Sequence, residues 1–121
     1  MILDKEEMLF ERDESGSLIS KEVVVIRLPN KPTIRITPIT RGEFKRIREG
    51  LNAEGNTTED QDGDIILSHL IEPKITKEEI KFMKKSYVDS IVLTIFDYSS
   101  LVVKENLKDA IDENNNEIKK N

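Results

Sequence analysis

The chain has 121 residues and a net charge of −5, from 19 Lys and Arg against 24 Asp and Glu. It contains no cysteine, which excludes disulfide frameworks and cysteine nucleophiles. His69 is its one histidine, so any metal site would depend on carboxylates. The length fits one domain. Since there is no long apolar run and no signal-like start, we expect a cytoplasmic protein that does not enter membranes.

Charge is unevenly distributed along the chain. Residues 21–48 carry a net charge of +6, whereas residues 49–73 carry −7 and contain no Lys or Arg. Opposite charges on separate segments permit contacts between copies of the chain or with a partner. A solvated surface whose charges segregate without a function is the alternative.

Both ends of the chain are predicted to be poorly ordered. We expect a poorly ordered N-terminal segment over residues 1–20, which a turn-forming run of Asp, Glu, Ser and Gly over 13–17 interrupts. A single α+β domain should follow over residues 21–112. The polar residues 113–121 should form a disordered tail.

The first regular elements are predicted to be two β-strands. Residues 21–28 are rich in β-branched side chains, and residues 33–37 alternate between polar and apolar side chains. The Pro-Asn-Lys-Pro sequence between them is typical of a turn. The two strands should therefore form a β-hairpin.

The first strand is apolar on both of its faces. If Val24, Ile26 and Leu28 face the core, then Val23 and Val25 point to the opposite side. An isolated hairpin is marginally stable in water, so these two valines need a third strand, a helix or a second copy of the chain to cover them. Self-association through the hairpin is one hypothesis that follows.

Two helix starts are built from the same parts. Thr40 with Glu43, and Thr76 with Glu79, match the N-cap and N3 positions of a capping box. The first of these helices should run from about residue 41 to residue 50. Its predicted buried side chains are Phe44, Ile47 and Leu51.

The remaining elements are predicted to be helices and one loop. Residues 52–64 are polar, acidic and contain glycine, which indicates a mobile loop, and residues 65–72 should form a short apolar helix that ends at Pro73. The strongest helical pattern follows Ser86, with apolar side chains at Val88, Ile91, Val92, Ile95 and Phe96. The predicted fold is α+β and mostly helical, with an N-terminal β-hairpin followed by four or five short helices.

Motifs of enzymes and metal sites occur only as fragments. Residues 50–57 have the spacing of a phosphate-binding loop, but Asn56 replaces the lysine and the surrounding charge is negative. The alternating aspartates of 60–64 lack the glycine and the glutamate that complete a calcium loop. His69 and Glu72 have no second nitrogen or thiolate ligand. We therefore expect no catalytic residue, no metal and no cofactor.

The basic residues between 27 and 48 could contact phosphate groups. An isoelectric point near 5.0 and few aromatic side chains argue against direct binding of nucleic acid. A small nucleic-acid-binding regulator is nevertheless kept as an alternative function.

Three segments, taken in order, resemble one protein family. ITPITRGEFKRIRE (36–49) leads from the hairpin into a helix, EPKITKEEI (72–80) follows the short apolar helix, and YVDSIVLTIFDYSS (87–100) is an amphipathic helix. Over about residues 22–100 this order is similar to the tail assembly chaperones of long-tailed bacteriophages, prophages and related archaeal viruses. The chain departs from that pattern in having Ser100 where glycine is common and in continuing beyond residue 101.

The resemblance implies a non-enzymatic role in virus assembly. Such chaperones coat the hydrophobic, helical tape measure protein and keep it soluble until tail tube subunits assemble around it. They often self-associate, and many are also made as a longer frameshifted form that recruits the tail tube protein. The expected partners are therefore the tape measure protein, further copies of the chain and, through a frameshifted form, the tail tube protein. Another viral tail or connector component is the alternative.

Apolar side chains in excess of the core are the candidate contacts with a partner or a second copy. On the hairpin these are Val23 and Val25, and on the late helices they are Leu101, Val102 and Leu107. The alternative for each of them is that it fills the core.

Overall fold

The computed structural model describes residues 1–99. The strands are β1 (Lys21–Val24), β2 (Thr33–Ile36) and β3 (Leu70–Glu72), and they form one antiparallel sheet in that order. The helices are a 3-10 helix (Lys5–Met8), α1 (Arg41–Glu49), α2 (Glu59–His69), α3 (Lys77–Ile80) and α4 (85–99). The predicted α+β, mostly helical class is confirmed. The predicted tail over 113–121 lies outside the described residues.

The N-terminal segment is organised by short-range hydrogen bonds. The Asp13 carboxylate accepts bonds from the backbone N–H groups of Ser15 and Ser17, and Arg12 pairs with Leu18 across the turn. The Ser15 hydroxyl donates a further bond of 2.6 Å and is the largest cause lowering the pKa of Asp13. Every side chain of residues 1–10 is exposed, so this segment contributes little to the core.

The register of the hairpin decides which valines are buried. Val23 lies directly opposite Ile34, and directly opposed residues of an antiparallel pair project to the same face of the sheet. Ile34 belongs to the core, so Val23 packs against the core and Val25, two residues on, is fully buried in it. The prediction that Val23 and Val25 point away from the core is therefore wrong.

Val24, on the opposite face of β1, and Ile26, in the turn that follows, are both exposed. Their side chains are 49% and 64% exposed, although the sequence prediction assigns them to the core together with Leu28. Leu28 is indeed buried, but it lies in the turn, where Asn30 has a left-handed φ of 66°. The alternation of a strand does not extend into that turn, so the burial of Leu28 carries no information about Val24 and Ile26.

The third strand is missing from the sequence prediction, which assigns residues 65–72 to a helix. In the structure the helix ends at His69, and Leu70 pairs with Ile36 while Glu72 pairs with Arg35 across a bulge. Three residues are too few for an alternating pattern to be recognised. The strand nonetheless completes a sheet that a hairpin alone could not stabilise.

Helix α2 begins at Glu59, within the segment predicted to be a loop. Thr58 is its N-cap, and Gln61 completes a capping box in which each side chain accepts a hydrogen bond from the other residue's backbone N–H. The first turn of α2 is acidic, and negative charges there interact favourably with the positive end of the helix dipole. The loop prediction for 52–64 is therefore wrong from residue 59 onward.

Helix α4 forms over the segment predicted to be the strongest helix, and its apolar stripe belongs to the same core cluster as the sheet. Its most buried apolar side chains are those of the predicted stripe: Ile91, Val92 and Ile95 are in the core, and Val88 and Phe96 are partly buried. An ion pair of 2.9 Å between Arg27 and Asp97 links α4 to the hairpin turn.

His69 connects three elements at the end of α2. Because a carboxylate can only accept, the Nε2–H of His69 donates to Oε2 of Glu43 on α1 at 2.6 Å. The Thr37 hydroxyl lies 3.1 Å from Nδ1 of His69. Glu43 therefore binds the histidine instead of completing the predicted capping box with Thr40, whereas the box of Thr76 and Glu79 has both of its bonds.

The two faces of β1 can be tested with a matched pair of substitutions. We expect Val25→Ala to lower the free energy of unfolding by about 1.5–3 kcal/mol, because it removes two methyl groups from the core. Val24→Ala, on the exposed face, should change it by no more than about 0.5 kcal/mol. Urea unfolding followed by circular dichroism measures both, and equal effects would contradict the register.

The contact between Glu43 and His69 should stabilise the protein more than an ordinary capping box. Glu43→Ala leaves the buried Nε2–H of His69 without its acceptor and should cost about 1.5–3 kcal/mol. Glu79→Ala removes a carboxylate from the same N3 position of an exposed helix and should cost clearly less. Urea unfolding of both variants makes the comparison, and equal losses would mean that the histidine contact adds nothing.

The capping box of α3 predicts a pH dependence. The backbone N–H of Thr76 donates to the carboxylate of Glu79 and is the largest cause lowering the pKa of Glu79. A lowered pKa in the folded state stabilises the protein above the unfolded-state pKa, and that stabilisation is lost as the pH falls through the folded-state pKa. Between about pH 7 and about pH 3, Glu79→Gln should therefore lose less stability than the unmodified protein. An identical loss in thermal unfolding would contradict this assignment.

Candidate partner-binding groove

Helix α1 is amphipathic, yet none of its residues is fully buried. Phe44 and Ile47, on its apolar side, are only partly buried, and so is Leu51 just beyond the end of the helix. A surface helix of a globular protein ordinarily turns its apolar stripe into the core. Phe44 and Ile47 pack against the core, but neither they nor Leu51 is fully buried, so the stripe keeps some apolar surface that another polypeptide could contact.

Polar contacts from α2 hold α1 near both of its ends. Glu43, in the first turn of α1, accepts the hydrogen bond from His69. In the last turn, the backbone carbonyl of Ile47 accepts a bond of 2.9 Å from the side-chain amide of Gln61. The position of α1 is thus set by hydrogen bonds as well as by apolar packing.

An open groove of about 810 Å³ lies between α1 and α4. The apolar side chains that line it come from both helices and from the chain just after α1: Phe44, Ile47, Leu51, Val92, Leu93 and Phe96. Leu93 is 45% exposed. The groove therefore offers an apolar floor that solvent reaches.

An aromatic pair joins the two walls of the groove. The ring centroids of Phe44 and Phe96 are 6.0 Å apart and the rings are nearly perpendicular, at 80°, which is the favourable edge-to-face arrangement. The guanidinium of Arg48 lies 5.8 Å from the Phe44 centroid, within cation–π range. This contact places a positive charge directly beside the apolar floor.

The contact residues predicted from the sequence do not lie in this groove. Val23 is half-buried against the core and Val25 is fully buried, so Val25 offers no surface to a partner. Leu101, Val102 and Leu107 lie outside the described residues. The groove between α1 and α4 is therefore a candidate surface that the sequence prediction did not include.

One signal in the sequence could have identified the groove. The stripe of α4 is spaced three and four residues apart, and Leu93 lies at its edge, three residues before Phe96 but at neither spacing from the other members. A leucine at the edge of the buried stripe of a helix, together with the apolar side of α1, indicates a second apolar face. The sequence prediction treated Phe44, Ile47 and Leu51 as core and did not consider Leu93.

The order of Thr37, His69 and Glu43 resembles the hydroxyl, imidazole and carboxylate of a catalytic triad. However, only 5% of His69 is exposed, and the backbone N–H of Thr37 donates to the carbonyl of His69 at 2.9 Å, which extends the β2–β3 pairing to the last residue of α2. A substrate could not approach this imidazole without separating the sheet from the helix. We interpret the three side chains as a structural connection.

Within residues 1–99, no group of three or more His, Cys, Asp or Glu side chains is arranged to hold a metal ion. Over the same range, no helix combines the length and the hydropathy needed to cross a bilayer. Comparison of the chain with protein-family models, curated proteins and solved structures found no match.

Proposed function

We propose that the protein is a non-enzymatic tail assembly chaperone of a long-tailed virus, which binds the tape measure protein and keeps it soluble while the tail tube assembles. The observation that carries the proposal is the open groove between α1 and α4, whose apolar lining combines the exposed Leu93 with the incompletely buried side chains of α1. An amphipathic helix placed in such a groove buries its apolar stripe against the floor. A protein that keeps a hydrophobic, helical client soluble needs such a surface.

The order of elements is a second line of support. A hairpin leads into α1, α2 and the short strand β3 precede the Thr-capped helix α3, and the amphipathic helix α4 follows. Apart from β3, that order agrees with the one implied by the resemblance to tail assembly chaperones. Self-association, and recruitment of the tail tube protein by a frameshifted form, remain parts of the same proposal.

Co-expression with the tape measure protein of the same genome tests the proposal. We expect the tape measure protein to be soluble and to co-purify with this chain, and we expect the chain to be absent from finished virions. A tape measure protein that is soluble alone and never co-purifies would contradict the role. Presence of the chain in purified virions would favour a structural component of the tail.

The groove can be tested in the same co-expression with matched variants. Leu93→Glu places a charge on the apolar floor and should reduce recovery of the complex at least about tenfold, because a desolvated carboxylate opposes docking. Phe82→Glu is the control, since Phe82 is 87% exposed and lies outside the groove. Circular dichroism should show that both variants are folded. Equal recovery from the two would place the binding surface elsewhere.

A further inference from the structure

The outer side of α1 carries a stripe of positive charge. Arg41, Lys45 and Arg48 are spaced at i, i+4 and i+7, which places them on one side of a helix. All three side chains are exposed. No carboxylate among residues 1–99 forms an ion pair with any of them. The stripe therefore faces solvent without an ion pair from the described part of the chain, and Glu49, four residues after Lys45, is a carboxylate of the same helix that does not pair with it.

This basic stripe meets the groove at its Arg48 end. Arg48 lines the groove and lies against Phe44, so the end of the stripe and the apolar floor are adjacent. A helix seated on that floor would bring one of its polar flanks alongside α1. Carboxylates on that flank would meet three positive charges over about two helical turns.

The charges contributed by α4 and α2 are of mixed or negative sign. On α4, Lys85 lies 3.6 Å from Asp89 and offsets its charge. On α2, the carboxylate of Asp62 accepts a hydrogen bond from the Thr57 hydroxyl. Both aspartates line the groove. The positive side of the groove is therefore the α1 side alone, which makes the site electrostatically asymmetric.

We propose that this groove recognises an amphipathic helix of a protein partner whose carboxylates lie along one flank, at helical spacing that matches Arg41, Lys45 and Arg48. The proposal rests on the groove of the proposed function and names the chemistry of the client segment. The apolar floor supplies the burial, and the charge asymmetry selects the partner and its orientation.

Two other occupants fit these observations less well. Nucleic acid would pair with the basic stripe but would leave the apolar floor uncovered and would face Asp62 and Asp89. A second copy would have to offer an acidic, amphipathic helix. The acidic helix of the described residues is α2, and its apolar side chains Ile65 and Ile66 are already buried.

A pair of synthetic helical peptides tests the proposal on the full chain. Both carry the same apolar stripe and about 18 residues, and they differ only in having Glu or Lys along one flank. We expect the Glu peptide to bind about tenfold more tightly in fluorescence anisotropy, from three exposed ion pairs of modest strength each. The preference should shrink at about 1 M salt, where exposed charges are screened.

Charge reversal on the protein should reverse the preference. The triple variant Arg41→Glu, Lys45→Glu and Arg48→Glu should bind the Lys peptide more tightly than the Glu peptide. The triple variant Lys74→Glu, Lys77→Glu and Lys81→Glu has the same net charge but changes residues outside the groove, so it should keep the original preference. Circular dichroism checks that both variants are folded.

Several outcomes would overturn the proposal. These are equal binding of both peptides, binding of neither, and a preference that the groove and control variants change alike. Binding of duplex DNA that depends on the basic stripe, with no peptide bound, would assign the stripe to nucleic acid. A fall in oligomeric mass caused by the groove variant, with no peptide bound, would assign it to a second copy.

The test separates this inference from the proposed function. If the tape measure protein does not co-purify but the Glu peptide is preferred, the proposed client is contradicted and the proposed charge selectivity of the groove is supported. If the tape measure protein co-purifies in a way that depends on Leu93 and neither peptide is preferred, the function stands and the charge selectivity is wrong.

Discussion

The placement of α1 is the constraint on which the candidate site depends. Glu43 accepts a 2.6 Å hydrogen bond from His69, and Gln61 donates to the last turn of α1, so both ends of the helix are fixed to α2. An edge contact with Phe96 joins its middle to α4. Because these contacts hold the helix without burying its apolar side fully, α1 can be rigidly positioned and still present apolar surface.

Two different sides of α1 carry its apolar side chains and its basic stripe. Its apolar side forms one wall of the groove, and its basic stripe borders that wall through Arg48. The proposed role needs burial that tolerates many sequences, together with a feature that excludes unsuitable ones. In that proposal the apolar area provides the first, and the exposed positive charge of α1 provides the second.

Glu43 illustrates how a local signal and a tertiary contact can compete for one side chain. At N3 after a Thr N-cap, the sequence predicts that its carboxylate bonds back to Thr40, as Glu79 does to Thr76 in α3. The helix begins where predicted, since the Thr40 hydroxyl still accepts from the Glu43 N–H at 3.3 Å. The carboxylate instead binds a histidine 26 residues away, because a buried Nε2–H needs an acceptor more than an exposed helix end does.

By itself the sequence determined the α+β class and the hairpin. It also determined the helix starts at Thr40 and Thr76 and the buried stripe of α4, because caps and helical periodicity are local properties of the chain. The tertiary structure decided which face of β1 is buried, since that depends on the pairing of Val23 with Ile34 and not on the strand's own pattern. It also decided that Leu70 to Glu72 form a strand and that Leu93 faces a groove. Each of these outcomes is set by a neighbour distant in sequence, and no local pattern records where that neighbour lies.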